Sequence, residues 1–168
     1  MGFLARIGGL RFAVTVLTGM TALQMALIAF GNITDFATNQ AFVQHVLAMD
    51  TTFRSPDMTW RAITGPGLQN TAYVVIIGWE ALTALVLIAA FVAWVRPRAD
   101  TTTARRLSTL GWVMWVLLFG VGFLAIGGEW FQMWQSEKWN GLQPALQNFL
   151  IATAALIVAH LPEKQAVT

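Results

Sequence analysis

Two carboxylates stand where the surrounding residues disfavour them. Glu80 lies in the run Gly78-Trp79-Glu80-Ala81-Leu82, and Glu129 closes the apolar run from Gly120 to Gly128. An ionisable side chain at mid-membrane depth costs on the order of 3 kcal/mol even on mild insertion scales. Each must face a protein interior, be protonated or find a partner. The chemistry open to such groups is proton carriage, ion ligation or contact with a polar head group. The plainer reading of Glu80 is a protonated carboxyl bonded to Thr83, to an amide of another helix or to a tryptophan N–H. Both readings stand at this point.

Other polar residues fall near the same level. At helical spacing Glu129, Gln132 and Ser136 share a face. Asn32 and Asp35 end the first apolar run, and Asn148 lies in the last. Counting about 1.5 Å per residue places these groups at similar depth, in the outer half of a membrane. The expectation is a polar pocket open to the outside, fed by four helices and roofed by a loop carrying His45, Asp50 and Arg54. The plainer alternative is a buried hydrogen-bonded network that fixes helix register. Carboxylate and amide oxygens suit hard cations, and His45 would add a ligand for zinc or another borderline metal. No dense ligand motif is present, so a metal stays an open question. Trp130, Trp134 and Trp139 cluster beside this level. Interfacial anchoring is the ordinary role of such residues, Trp60 and Trp94 included, and stacking on a ligand ring is the rarer one. The candidate ligand- or ion-binding set is therefore Glu80, Glu129, Asn32, Asp35, His45, Asp50, Gln132, Asn148, Trp130 and Trp134.

Several chemistries drop out. Cysteine is absent, which removes disulfides, thiolate metal sites and thiol redox work. Bis-histidine haem needs paired membrane histidines, whereas His45 falls in a loop and His160 at the end of the last apolar run. No phosphate loop, dinucleotide glycine pattern, nucleophile elbow or His-Glu-x-x-His occurs. No catalytic residue and no cofactor is expected, and the enzyme reading ranks third.

These residues need elements long enough to hold them. Hydrophobic residues make up 57% of the chain and charged residues 11%, too few to coat a water-facing domain. Four apolar stretches reach the roughly 20 residues that a helix needs to cross a bilayer, at about 12–33, 71–95, 107–134 and 142–161. Helix is the form that satisfies the backbone in lipid over such a length. The expected fold is all-α, a single four-helix transmembrane bundle over residues 1–168. The first span lacks an Ala-x-Ala-like cleavage site after it and is read as a retained helix. Small residues recur at helical spacing, as in Gly19, Ala22, Ala26 and Ala29, and let helices approach closely. Gly67-Leu68-Gln69-Asn70 and Gly141-Leu142-Gln143-Pro144 open the second and fourth spans, a faint internal echo.

Charge sets the orientation. Arg6 and Arg11 precede the first span, Arg96, Arg98, Arg105 and Arg106 separate the second and third, and Lys164 follows the fourth. The opposite side carries Arg54, Arg61 and Lys138. The bias places both termini in the cytoplasm and the long loop, about 35–70, outside. That loop should hold a short helix from Asn39 to Met49, with Phe42, Val43, Val46 and Leu47 on one face. A second helix should start after Ser55-Pro56-Asp57, run from Met58 to Ile63 and stop at Gly65-Pro66-Gly67. Basic patches beside apolar runs are a topology signal and not a nucleic-acid footprint.

Several strings together resemble one known set. They are Asn32-Ile33-Thr34-Asp35 with Asn39, Phe42-Val43-x-His45-Val46-Leu47-x-Met49-Asp50-Thr51, and Trp60-Arg61-Ala62-Ile63. Glu80 follows, then Gly127-Gly128-Glu129-Trp130-Phe131-x-Met133-Trp134-Gln135-Ser136 with Trp139-Asn140-Gly141. The chain is similar over nearly its whole length to a bacterial family of predicted small integral membrane proteins, a domain of unknown function. The resemblance implies a four-helix protein of the bacterial inner membrane and no activity. The matching strings fall on the outer half, so function is expected at that face. Two roles follow. One is a non-catalytic accessory subunit or ligand- or lipid-binding component, with membrane lipid, a larger complex or a second copy as partner. The other is a small proton- or cation-coupled transporter or channel using the intramembrane carboxylates Glu80 and Glu129.

Overall fold

The computed structural model describes residues 9–96 and 100–162. Arg6, Arg98 and Lys164, which carry part of the charge argument, lie outside the described residues. Among the described residues the secondary structure is entirely helical. Helix α1 spans Leu10–Thr34, α2 Phe36–Ala48, α3 Pro66–Val95, α4 Thr101–Trp130 and α5 Leu142–Ala159. All but α2 are long and apolar enough to cross a membrane. The shortest of these four, α5, has 18 residues, about 27 Å against a hydrocarbon core of about 30 Å.

Sequence chemistry sets the boundaries. Asp35 ends α1, its N–H donating to Gly31 O at 2.8 Å, and α2 starts at the next residue. Met49 stops α2 in the left-handed region at φ 51°. Gly65 precedes α3 and Pro66 fills its first turn, where a missing N–H is harmless. Asp100 caps α4 by accepting from the amides of Thr102 and Thr103 at 2.9 and 3.2 Å. The second loop helix expected from Met58 to Ile63 is only a single 3-10 turn, Thr59–Arg61. Six residues between two proline- or glycine-bearing segments are too few to nucleate a stable helix.

The four long helices alternate in direction and close a ring, α1 on α3, α3 on α4, α4 on α5 and α5 on α1. The core holds small residues from each of the four long helices, with Trp112 and Trp115 fully buried. At Gly111 a Cβ would stand 2.5 Å from Leu87 Cδ2, so the missing side chain is what lets α3 and α4 meet. Polar groups pair across the core. Trp94 Nε1 donates to Ser108 Oγ at 2.9 Å, Ser108 meets Thr18 Oγ1 at 3.1 Å, and Trp112 Nε1 donates to Thr21 Oγ1 at 3.0 Å. Trp94 therefore turns inward to a partner on α4, where interfacial anchoring was expected. An indole N–H beside a serine on the next helix is better satisfied than one at the rim.

Helix α4 changes its winding midway. Thr101–Val116 is α-helical and Leu117–Trp130 is wound as a π-helix. The closing bond, Phe131 N to Ile126 O at 3.0 Å, spans five residues. Each residue then advances less around the axis than in an α-helix, and the inward-facing positions fall later in the sequence than α-helical spacing would place them. Four glycines in this segment, Gly120, Gly122, Gly127 and Gly128, remove the side-chain packing that would resist a wide turn.

Candidate functional site

One end of the bundle is roofed by α2 and by the turn between α4 and α5. Beneath this roof lies a chamber of about 480 Å³ to which α1, α2, α3, α4, α5 and that turn all contribute. Glu80 sits in it and is 2% exposed. A hydrogen-bond chain leads from it toward the surface. Asn32 Nδ2 donates to Glu80 Oε2 at 2.7 Å, and Asn39 Nδ2 donates to Asn32 Oδ1 at 2.6 Å. Tyr73 OH donates to the Asn32 backbone carbonyl at 3.3 Å. On the far wall Asn148 Oδ1 accepts from Gln24 Nε2 at 3.1 Å, and its Nδ2 donates to Pro144 O at 2.9 Å. Lys138 and Trp139 line the mouth, the Lys138 ammonium 4.8 Å from the Trp139 ring centroid.

Of the residues singled out from sequence, Glu80, Asn32 and Asn148 meet in this chamber. Glu129 does not. It is exposed and borders a separate, shallow hollow with Arg61 and Trp130. Extending the α-helical face of Trp112, Trp115 and Phe119 in steps of three and four would bring Gly122, Ile126 and Glu129 inward. The wide winding instead buries Gly127 and Gly128 and turns Ile126 and Glu129 out. A pocket shared by the two carboxylates is thereby corrected to one carboxylate in the chamber.

The Glu129, Gln132, Ser136 face also dissolves. The helix stops at Trp130, Gln132 takes a left-handed conformation at φ 55°, and Ser136 is buried, bonded to Thr51 Oγ1 at 2.8 Å. Gln132 Oε1 accepts from Gln135 Nε2 at 2.9 Å. His45 and Asp50 form their own pair, Nδ1 to Oδ2 at 2.7 Å, and the imidazole stacks on Trp139 with centroids 4.6 Å apart. They stiffen the roof without lining the chamber. Asp35 is exposed and accepts from Thr38 Oγ1 at 2.9 Å. Trp130 packs edge-on to Trp60, with Arg61 4.6 Å from its ring centroid, and Trp134 packs edge-on to Phe53. Both tryptophans stay largely exposed. Among the described residues no three His, Cys, Asp or Glu side chains converge as metal ligands would.

Sequence reasoning did not single out Tyr73, Asn39 or Lys138 as site residues. For Asn39 a signal existed, since it follows Asn32 by seven residues, two helical turns. Tyr73 is the only tyrosine in the chain and lies two turns before Glu80. Lys138 carried no such signal, because its place depends on the turn that follows α4.

Four membrane-crossing helices around a roofed polar chamber define a multi-pass integral membrane protein. The chain belongs to the family of predicted small integral membrane proteins (DUF2165), a domain of unknown function, whose profile matches residues 10–162. No curated protein and no solved structure matches the chain.

Proposed function

We propose that this is a non-catalytic protein of the bacterial inner membrane that holds a ligand in the chamber at its roofed, periplasmic end. It acts alone or as an accessory subunit of a larger membrane complex. The burial of Glu80 in that chamber carries the reading. A carboxyl at such depth is retained against a cost on the order of 3 kcal/mol. Its Oε2 has the Asn32 amide, and among the described residues Oε1 has no hydrogen-bond partner. The chamber's amides are tied to one another in fixed directions, which suits holding a head group in place. The orientation rests on charge, with Arg11, Arg96, Arg105 and Arg106 at the unroofed end. Transport of protons or cations through a carboxylate pair draws less support, because Glu129 opens on a different surface.

Native mass spectrometry of protein extracted directly into lipid nanodiscs tests this. Wild type should carry a ligand-sized mass that Glu80→Leu loses, with partner proteins co-purifying if it is a subunit. Wild type free of such a mass, or a mass equally retained by Glu80→Leu, would overturn the reading.

A further inference from the structure

We infer that the ligand is a neutral, single-tailed amphiphile. Its hydroxyl-bearing head is held by Glu80 and Asn39, and its tail lies in an apolar cleft between α3 and α4. This rests on the ligand-binding reading above and names the class of ligand.

The head-group chemistry follows from the direction of the hydrogen bonds. Glu80 Oε2 is an acceptor, so Asn32 must present Nδ2 to it, at 2.7 Å. Asn32 then offers only Oδ1 to the next residue, so Asn39 must present Nδ2, at 2.6 Å. What remains on this wall is Asn39 Oδ1 and Glu80 Oε1, neither with a partner among the described residues. Asn148 is satisfied on both atoms by Gln24 and Pro144. Two free oxygens call for a head that donates two hydrogen bonds, as a diol does. Charge narrows it further. The chamber already holds one cation and one carboxylate, Lys138 and Glu80, so a neutral head is the one that leaves its charge balance unchanged.

The tail's place adjoins the chamber. A second cavity of about 260 Å³ lies under α2 and is lined almost wholly by apolar residues. It shares Phe42, Val43, Ile76 and Phe123 with the polar chamber as common walls. The Phe42 and Phe123 rings lie nearly parallel across that wall, centroids 6.4 Å apart. Val75 and Ile126 on the cleft's rim are 63% and 47% exposed, facing where lipid tails lie, so the cleft opens sideways to the bilayer. The wide winding of α4 creates this space. At Gly122 a Cβ would find only Leu118 Cδ1, at 3.9 Å. A polar chamber that shares a wall of movable side chains with an apolar cleft open to lipid matches a molecule with one head and one tail, its neck passing between the Phe42 and Phe123 rings.

The test uses full-length protein in phosphatidylcholine nanodiscs and three amphiphiles with the same tail: 1-O-dodecylglycerol, dodecanoate and dodecyltrimethylammonium. Thermal unfolding is followed by circular dichroism. At about a hundredfold excess over Kd, dodecylglycerol should raise Tm by roughly 5–10 °C, and the charged pair should not. Asn39→Ala, at an exposed position, and Glu80→Leu should each lose that rise. Gly122→Phe, which fills the cleft, should lose it for dodecylglycerol and keep it for hexylglycerol. Equal shifts with all three compounds, or preference for a charged head, would overturn the assignment. So would no shift. If a co-purified mass still depends on Glu80 in that case, the chamber binds a ligand of another class. If no such mass exists, the binding reading falls as well.

Discussion

Replacing Ser108 by alanine removes one oxygen from the middle of the bundle, and its effect can be worked out bond by bond. The Thr18 hydroxyl donates to Val14 O at 2.7 Å, so its proton is committed. Ser108 must then donate to Thr18 Oγ1, at 3.1 Å, while accepting from Trp94 Nε1, at 2.9 Å. All three residues are buried. Alanine removes both bonds and leaves the indole N–H without an acceptor. Interhelical bonds in membranes average about 0.6 kcal/mol, up to about 1.7, and an unpaired buried donor costs about 1–3 kcal/mol. Ser108→Ala should therefore destabilise by about 1–3 kcal/mol. Trp94→Phe removes the donor, so the double variant should recover about 1 kcal/mol relative to the sum of the singles. Reversible unfolding in mixed micelles with rising dodecyl sulfate, followed by circular dichroism, measures all four corners of the cycle. Additivity within about 0.3 kcal/mol would refute the assigned directions.

Other perturbations separate packing, winding and capping. Asn32→Ala leaves Glu80 without its amide and should cost about 1–3 kcal/mol in the same unfolding assay, with Glu80→Leu on that background restoring most of it. Gly111→Ala puts a Cβ 2.5 Å from Leu87 Cδ2 and should cost about 1–3 kcal/mol, whereas Gly78→Ala, with nothing within 4 Å, should be nearly silent. Nitroxide labels along 121–130 should report lipid contact at Val121, Ala125, Ile126 and Glu129 and protection at Gly127 and Gly128; protection at Ile126 and Glu129 would restore α-helical winding. The Thr103 hydroxyl, then the Thr102 amide, hold the exposed Asp100 carboxyl below its ordinary value of 3.8, so the cap's contribution is present above that pH and lost as pH falls through the lowered value. Protection factors in the first turn of α4, corrected for the intrinsic pH dependence of exchange, should fall on acidification in wild type and stay flat in Asp100→Asn.

The four spans were readable because apolar length alone dictates them, and α2 because Phe42, Val43, Val46 and Leu47 repeat at helical spacing. Those four residues are where the helix covers the apolar cleft. Glu80 was readable as an inward group because lipid offers it nothing. Glu129 was misplaced for a specific reason. Its expected direction was extrapolated with α-helical periodicity through a segment that adds a residue to every turn, and nothing in an apolar, glycine-rich string announces that change. Gln132 and Ser136 were misplaced because the helix ends at Trp130, and a left-handed glutamine is a rare way to turn a chain. Trp94 shows the same limit: a tryptophan near a helix end reads as a rim residue until its partner, Ser108 on another helix, is known.

Three tethers join the long loop after α2 to the end of α4 and the turn that follows it. Thr51 bonds Ser136 at 2.8 Å, Phe53 N donates to Gln135 Oε1 at 2.9 Å, and Arg61 leans on Trp130. A lone pair of helices contains none of these stitches, since each runs from the first hairpin to the second. These stitches can form only once both hairpins are in place side by side, as in a two-stage assembly of membrane helices. The roof over Glu80 is therefore a joint product of the two halves of the chain, and neither hairpin alone can close it.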